Sequence, residues 1–162
     1  MQKVAELKQR FPHAGKVEWI GLRTHRGAEI EEKSSIQAIT DHGLDGDKAG
    51  KRPGGKRQVT LIQAEYIEVI RSLMPQANIN LADLRRNIAV SGLNLNALKD
   101  CTIRIGLSTF EITGFCHPCS RLESQLGEGV FNALRGHGGL TAKVIDGGLI
   151  QLGDEIKVLK VG

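Results

Sequence analysis

The apolar positions of this chain change their spacing often and keep none for long. Val4, Leu7 and Phe11 fall at helical spacing, and Pro12-His13-Ala14-Gly15 ends the short helix they predict. Val17–Leu22 and Ser35–Thr40 read as strands, joined by a polar hairpin loop over 23–33. Asp41–Arg57 then carries almost no apolar residue, and loops of that length in compact domains are usually functional or disordered. Gln58–Ile62 predicts a third strand. Behind it Ile62, Tyr66, Val69, Ile70 and Leu73 share one side of a helix over Gln63–Met74, which Pro75 ends. Leu81–Leu84 reads as a short turn or helix and Asn87–Val90 as a strand. Cys101–Ile105 and Thr109–Thr113 flank a turn at Gly106-Leu107-Ser108, and helical spacing returns over Ser120–Leu126 and Val130–Leu134. Leu140–Asp146, Ile150–Leu152 and Glu155–Val161 read as closing strands, with turns at Gly147-Gly148 and Gly153-Asp154.

Many short strands with tight turns and few helices predict a mainly β fold centred on a closed or nearly closed barrel. The regular strand-helix alternation of a parallel α/β sheet is absent. No repeat and no linker divides the chain, so residues 1–162 read as a single domain.

Composition sharpens this picture. Twenty glycines among 162 residues, with aromatics at only 4%, suit frequent tight turns. No apolar run approaches the roughly 18 residues of a spanning helix. Glu6 stands where an export signal would be apolar, and three Cys are too few for a disulfide scaffold. These features predict a reduced, cytoplasmic setting without a membrane partner. The net charge of +4 admits an anionic partner, while the scarcity of aromatic platforms argues against nucleic acid.

The sharpest chemical feature is Cys116-His117-Pro118-Cys119. A thiolate is both a nucleophile and a soft metal ligand. Cys119 precedes a predicted helix, whose first N–H groups would steady a negative sulfur, and His117 and Arg121 add donors beside it. Three readings compete: Cys119 alone as the functional sulfur, a Cys116–Cys119 redox pair, or a zinc site. A redox pair of this type normally sits in a βαβ unit. Zinc wants four ligands, and His42 and His137 lie at no supporting spacing. A small buried core residue is an equally good reading of Cys116 and the better one of Cys101. Lys48–Arg57 is basic and glycine-rich, a composition suited to an anion or to a solvated loop, and it lacks the Gly-Lys-Ser/Thr ending of a nucleotide-binding loop. Asp83-Leu84-Arg85-Arg86-Asn87 offers two Arg before a strand, fit to clamp a phosphate or to pair with Asp83.

Six motifs occur in a familiar order: His42-Gly43-Leu44-Asp45-Gly46-Asp47, Arg57-Gln58-Val59-Thr60-Leu61-Ile62, Arg86-Asn87-Ile88, Gly92-Leu93-Asn94-Leu95, Cys116–Leu122 and Gly147–Asp154. From about residue 17 to residue 158 the chain resembles the MOSC domain, named for the C-terminal domain of molybdenum cofactor sulfurase, in its small stand-alone bacterial form. The resemblance implies a barrel-centred fold and binding of the molybdenum cofactor, a molybdopterin with an anionic phosphate. It implies that Cys119, in the Pro-Cys place, is the essential sulfur, either ligating molybdenum or carrying sulfur. Arg86 and Asn87 match a cofactor-contacting segment, with Arg85 displaced by one place, and Arg57, Arg121, Cys116 and His117 are the further cofactor-binding candidates. Members of the group reduce N-hydroxylated compounds. Such an activity here would need electrons from a separate reductase, and sulfur transfer would need a sulfur donor. A non-catalytic cofactor carrier and a metal-free thiol–disulfide protein are the alternatives. Pyridoxal phosphate belongs to the aminotransferase-like domain of the sulfurases and is not expected here.

Overall fold

The computed structural model describes residues 1–162. Its strands are β1 (Gly15–Leu22), β2 (Glu31–Glu32), β3 (Ser35–Ile39), β4 (Gly43–Leu44), β5 (Val59–Gln63), β6 (Ile88–Ser91), β7 (Thr102–Ile105), β8 (Ser108–Phe115), β9 (Leu140–Asp146), β10 (Gly148–Gln151) and β11 (Glu155–Lys160). Four short helices accompany them: α1 (Val4–Leu7), α2 (Tyr66–Leu73), α3 (Ser120–Leu126) and α4 (Val130–Leu134).

Seven strands close a barrel in the order β1-β6-β5-β9-β8-β7-β11, and β11 returns to β1 through Gly15↔Ile156 and Lys16↔Glu155. Closure leaves the barrel no free edge. All its neighbours are antiparallel except β5 and β6, whose parallel register pairs Leu61 with Ile88 and Gln63 with Val90. Parallel neighbours need a crossover, and α2 supplies it. A small second sheet, β10-β3-β4, stands beside the barrel.

The alternation of side chains along β5 and β6 explains why both strands are apolar throughout. Leu61, Ile88 and Val90 point into the barrel core, with Val17, Ile20, Phe110 and Val144. Their neighbours Ile62 and Ala89 face the opposite way and join Ile70, Leu84, Leu122 and Leu134 beneath the helices. Two cores therefore share one pair of strands; Arg57 lies before β5, Arg86 and Asn87 lie before β6, and the segment from Cys116 to Arg121 follows β8.

The predicted barrel and most elements stand, with five differences. The predicted hairpin loop over 23–33 contains β2, which pairs with β1, while β3 pairs with β10 and β4 in the second sheet. The terminal helix covers only Val4–Leu7 and buries none of its residues. The long polar segment contains β4 and a 3-10 turn over Lys48–Lys51, held because Leu44 is buried and Asp47 caps the turn by accepting from the Ala49 N–H. A further 3-10 turn, Leu95–Leu98, lies where no element was predicted, driven by burial of Leu95 and Leu98. Gly148, read as part of a turn, begins β10 opposite Ala38. No helix is long and apolar enough to cross a membrane.

Candidate functional site

Asn87 is the fixed point from which the site is built. It immediately precedes β6, is wholly buried, and all its side-chain capacity is used within the protein. Its Oδ1 accepts from the Thr60 N–H at 3.0 Å, the Thr60 hydroxyl at 3.1 Å and Arg23 Nη2 at 3.1 Å. Its Nδ2 donates to Gly21 O and to Asp47 Oδ1, both at 3.1 Å. A buried amide left unpaired would be costly, so this arrangement locks three loop ends together. Asn87 has no polar atom left for a ligand, and its place in the site is to hold its neighbours.

Those neighbours are cations. Arg23 follows β1; its main-chain N–H and Nη2 both reach Asp47, whose side chain is fully buried, and its Nη1 donates to Arg85 O at 3.2 Å. Lys48 is next to Asp47, and its N–H donates to Arg23 O at 2.7 Å. Arg85 has a left-handed backbone, φ 57°, uncommon for a residue other than glycine. That turn sends Arg85 and Arg86 in different directions. Arg85 Nη1 donates to Ala28 O at 3.0 Å. Arg121, in the first turn of α3, packs over Gly27: a side chain at Gly27 would meet Arg121 Nη2 at 3.5 Å.

Four cations, Arg23, Lys48, Arg85 and Arg121, thus lie within one another's field, with Asp47 beside Arg23 and Lys48. Burial pushes Lys48 below its ordinary value, Arg23 and Arg85 push it further, Asp47 opposes them, and Arg121 adds to the depression. Burial likewise lowers Arg85, reinforced by Arg121 and Arg23. Within this cluster two buried donors, Arg23 Nε and Arg85 Nη2, have no hydrogen-bond partner. Native proteins pair nearly all such groups, so these two ask for an acceptor that the chain does not provide.

The Cys loop adjoins the cluster. Cys119 is exposed and stands just before α3 with an extended backbone, its side chain making no capping bond. Cys116 is buried, and Arg57 Nη2 lies 4.0 Å from its Sγ. The Cys116 N–H donates to Gly139 O at 2.8 Å, and a side chain at Gly138 would collide with the Cys116 carbonyl. Arg86 fastens the same segment: its Nε donates to Gly138 O at 2.8 Å and its Nη1 to Leu84 O at 2.9 Å. Arg86 is only 7% exposed. Burial lowers it, the Cys116 and Cys119 sulfurs act to raise it, and Arg23 and Arg57 act to lower it. His117 is exposed, its ring 6.2 Å from that of Phe115, and with Cys116, Phe115 and Asn96 it lines a cavity of about 230 Å³.

The structure therefore brings Cys116, Cys119, Arg57, Arg86 and Arg121 into one region. His117 lines the neighbouring cavity, and Asn87 lies beneath. The residues that sequence reasoning passed over are Arg23 and Lys48, and Arg85 proves the outward-reaching member of the Arg pair. Lys48 was visible as the start of a basic loop; Arg23 gave no local signal, because its partners are 24 and 64 positions away. No group of three or more His, Cys, Asp or Glu side chains gathers to hold a metal ion, which leaves the zinc reading without support.

Comparison with known proteins agrees with this architecture. No curated protein matches the sequence. Among solved structures, the chain is similar to the YuaD protein of Bacillus subtilis, with TM-score 0.75 at 20% identity, covering 90% of this chain and 96% of that one. It is also similar to YiiM of Escherichia coli, with TM-score 0.68 at 19% identity over 91% of this chain and 70% of that one. YiiM of Geobacillus stearothermophilus gives TM-score 0.71 at 14% identity over 90% and 75%. At these identities the likeness is one of fold. The MOSC domain itself matches residues 24–157, a span that takes in β2 through the first half of β11 and every candidate residue except Arg23, and the chain therefore belongs to the MOSC domain family.

Proposed function

We propose that this protein binds the molybdenum cofactor, with Cys119 as the sulfur ligand to molybdenum and the Arg23–Lys48–Arg85–Arg121 cluster holding the cofactor's phosphate. The observation that carries the reading is the pair of buried, unpartnered donors, Arg23 Nε and Arg85 Nη2, in a cluster of four cations beside an exposed cysteine. The residues fit the group. Guanidinium donors match phosphate oxygens, and charge-assisted bonds to them are about twice as strong as neutral ones. A thiolate is a soft ligand for a transition metal.

When bound, the cofactor supplies a metal centre able to take up and return electrons. The chain's own residues do the rest. Arg23 and Arg85 neutralise and orient the phosphate, Lys48 and Arg121 add charge, and Asp47 with Asn87 keeps Arg23 from turning away. Arg86 and Gly138 hold the Cys loop so that Cys119 stays presented. The reaction class we assign is reduction of N-hydroxylated compounds, with electrons from a separate protein, since three cysteines of which two are buried leave no set for an iron–sulfur relay.

Anaerobic reconstitution tests this. Wild-type protein should retain molybdenum and pterin in equal amounts. Cys119→Ala should lose molybdenum and reductive turnover of an N-hydroxylated base with an artificial donor. Arg85→Met should retain Cys119 reactivity but bind pterin about tenfold more weakly, the loss of one charge-assisted contact. Binding without turnover would leave a carrier, and no binding by folded wild-type protein would refute the reading.

A further inference from the structure

We infer that the loop 48–57 is a docking surface for the acidic face of an electron-donor protein, presented at the rim of the Cys119 site. The inference rests on the proposed reductive function for the identity of the partner, and on the following observations for its place and charge.

The loop holds Lys48, Lys51, Arg52, Lys56 and Arg57 and not one acidic residue. Lys51, Arg52, Lys56 and Arg57 are exposed, and none of the five takes part in an ion pair. Elsewhere on the surface Lys33, Lys99, Lys143 and Lys157 each lie against a carboxylate. Lys3, Lys8, Lys16, Arg104, Arg135 and Lys160 are exposed and unpaired as well, but more widely spaced along the chain, whereas the loop places four such cations within residues 51–57 with no carboxylate among them. His25 and Arg26, also exposed and unpaired, extend it beyond Arg23.

The loop's two ends reach the site from two sides. At one end Lys48 lies within the field of Arg23, Arg85 and Arg121, two residues past Cys119. At the other, Arg57 lies 4.0 Å from the sulfur of Cys116. The backbone between them is pinned. Asp47 caps the turn at Ala49, Gly54 N–H donates to Asp41 O at 3.0 Å, and the Thr113 hydroxyl donates to Lys56 O. A held backbone with free cationic tips is an arrangement suited to electrostatic steering.

An acidic protein fits this rim better than a nucleic acid. The loop has no aromatic residue to stack on a base, and the whole chain has few. A protein partner needs only complementary charge, which sets on-rate and orientation more than affinity.

The test uses the full chain as purified, without cofactor, so its outcome does not depend on cofactor binding. Oxidised flavodoxin, a small acidic electron-transfer protein, is titrated into the isotopically labelled chain at low salt and followed by amide shifts. The expected result is shifts confined to 25–26, 48–57 and the start of α3, an affinity that falls steeply with added salt, and at least tenfold weaker binding by the charge-reversal variant K51E/R52E/K56E. These three residues are outside the proposed cofactor site, and retained shift dispersion shows that the variant folds. The variant K157E, on β11, should bind as wild type does. No binding, shifts centred elsewhere, indifference to the triple reversal, or tighter binding of a 20-base-pair DNA duplex would each overturn the inference. Reconstitution with molybdenum cofactor separately decides the reading on which the partner's identity rests.

Discussion

At the scale of single residues, Lys48 gives the most direct handle on the anion site. Burial and three neighbouring guanidiniums hold its ammonium below the ordinary 10.5. The charged form is therefore disfavoured in the fold, and the unfolded chain keeps the proton to a higher pH. Stability from this group should rise as pH climbs through the depressed folded value towards 10.5, while affinity for sulfate, an ion whose own charge is constant there, should fall over the same window. Lys48→Met should bind sulfate more weakly at neutral pH and show neither trend, which calorimetry and urea unfolding between neutral and alkaline pH would establish. Loss of the alkaline trend in wild type would show that Lys48 is not crowded as described. The residue scale is also where the sequence was hardest to read. Arg85 and Arg86 are chemically alike, and only the left-handed backbone at Arg85 sends one to the anion cluster and the other to the Gly138 and Leu84 carbonyls. An Arg in that conformation leaves no mark in composition or spacing.

At the scale of elements, α3 and α4 owe their joint placement to Glu123. Its carboxylate accepts from the Gly129 and Phe131 N–H groups, each at 2.7 Å, and so satisfies donors at the start of α4. Those two bonds hold Glu123 below its ordinary 4.5. The stabilisation is present above 4.5 and is lost as pH falls through the lower folded value. Glu123→Gln should accordingly lower stability at neutral pH and flatten its acid dependence, read by urea unfolding at several pH values; an unchanged acid profile would remove Glu123 from this role. Helices α3 and α4 were legible to the residue, because Leu122, Val130 and Leu134 recur at the helical period under local turn signals. The turns inside 41–57 were not. Leu44 is the only large apolar residue there, and what orders the segment is Asp47, whose partners Arg23 and Asn87 come from distant positions.

At the scale of the whole molecule, closure of the barrel and assembly of the site depend on the same interior network. Asn87 links β1 through Gly21 O, β5 through Thr60 and the basic loop through Asp47. Asn87→Ala strips several buried groups of partners at once and should cost about 3 kcal/mol, with sulfate binding lost in step. Chemical denaturation together with sulfate titration would measure both; a stable variant with weakened binding would place Asn87 at the ligand rather than beneath it. The barrel was legible because short alternating strands and glycine turns are local signals. The parallel β5–β6 pair was not, since the strand-helix-strand unit occurs only once and resembles a hairpin fold interrupted by a helix. The seam between β11 and β1 is a contact between chain ends that no local pattern encodes.

The contrast between the three sulfurs has a practical consequence. Cys101 and Cys116 are enclosed and Cys119 is open to solvent. A thiol reagent added to the native chain should therefore find a single fast-reacting position, and the other two only after denaturation. That makes the proposed metal ligand addressable by itself: a spectroscopic label, a cross-linker or a blocking group can be placed on Cys119 with no substitution elsewhere, and occupancy of the site can be followed as protection of one sulfur.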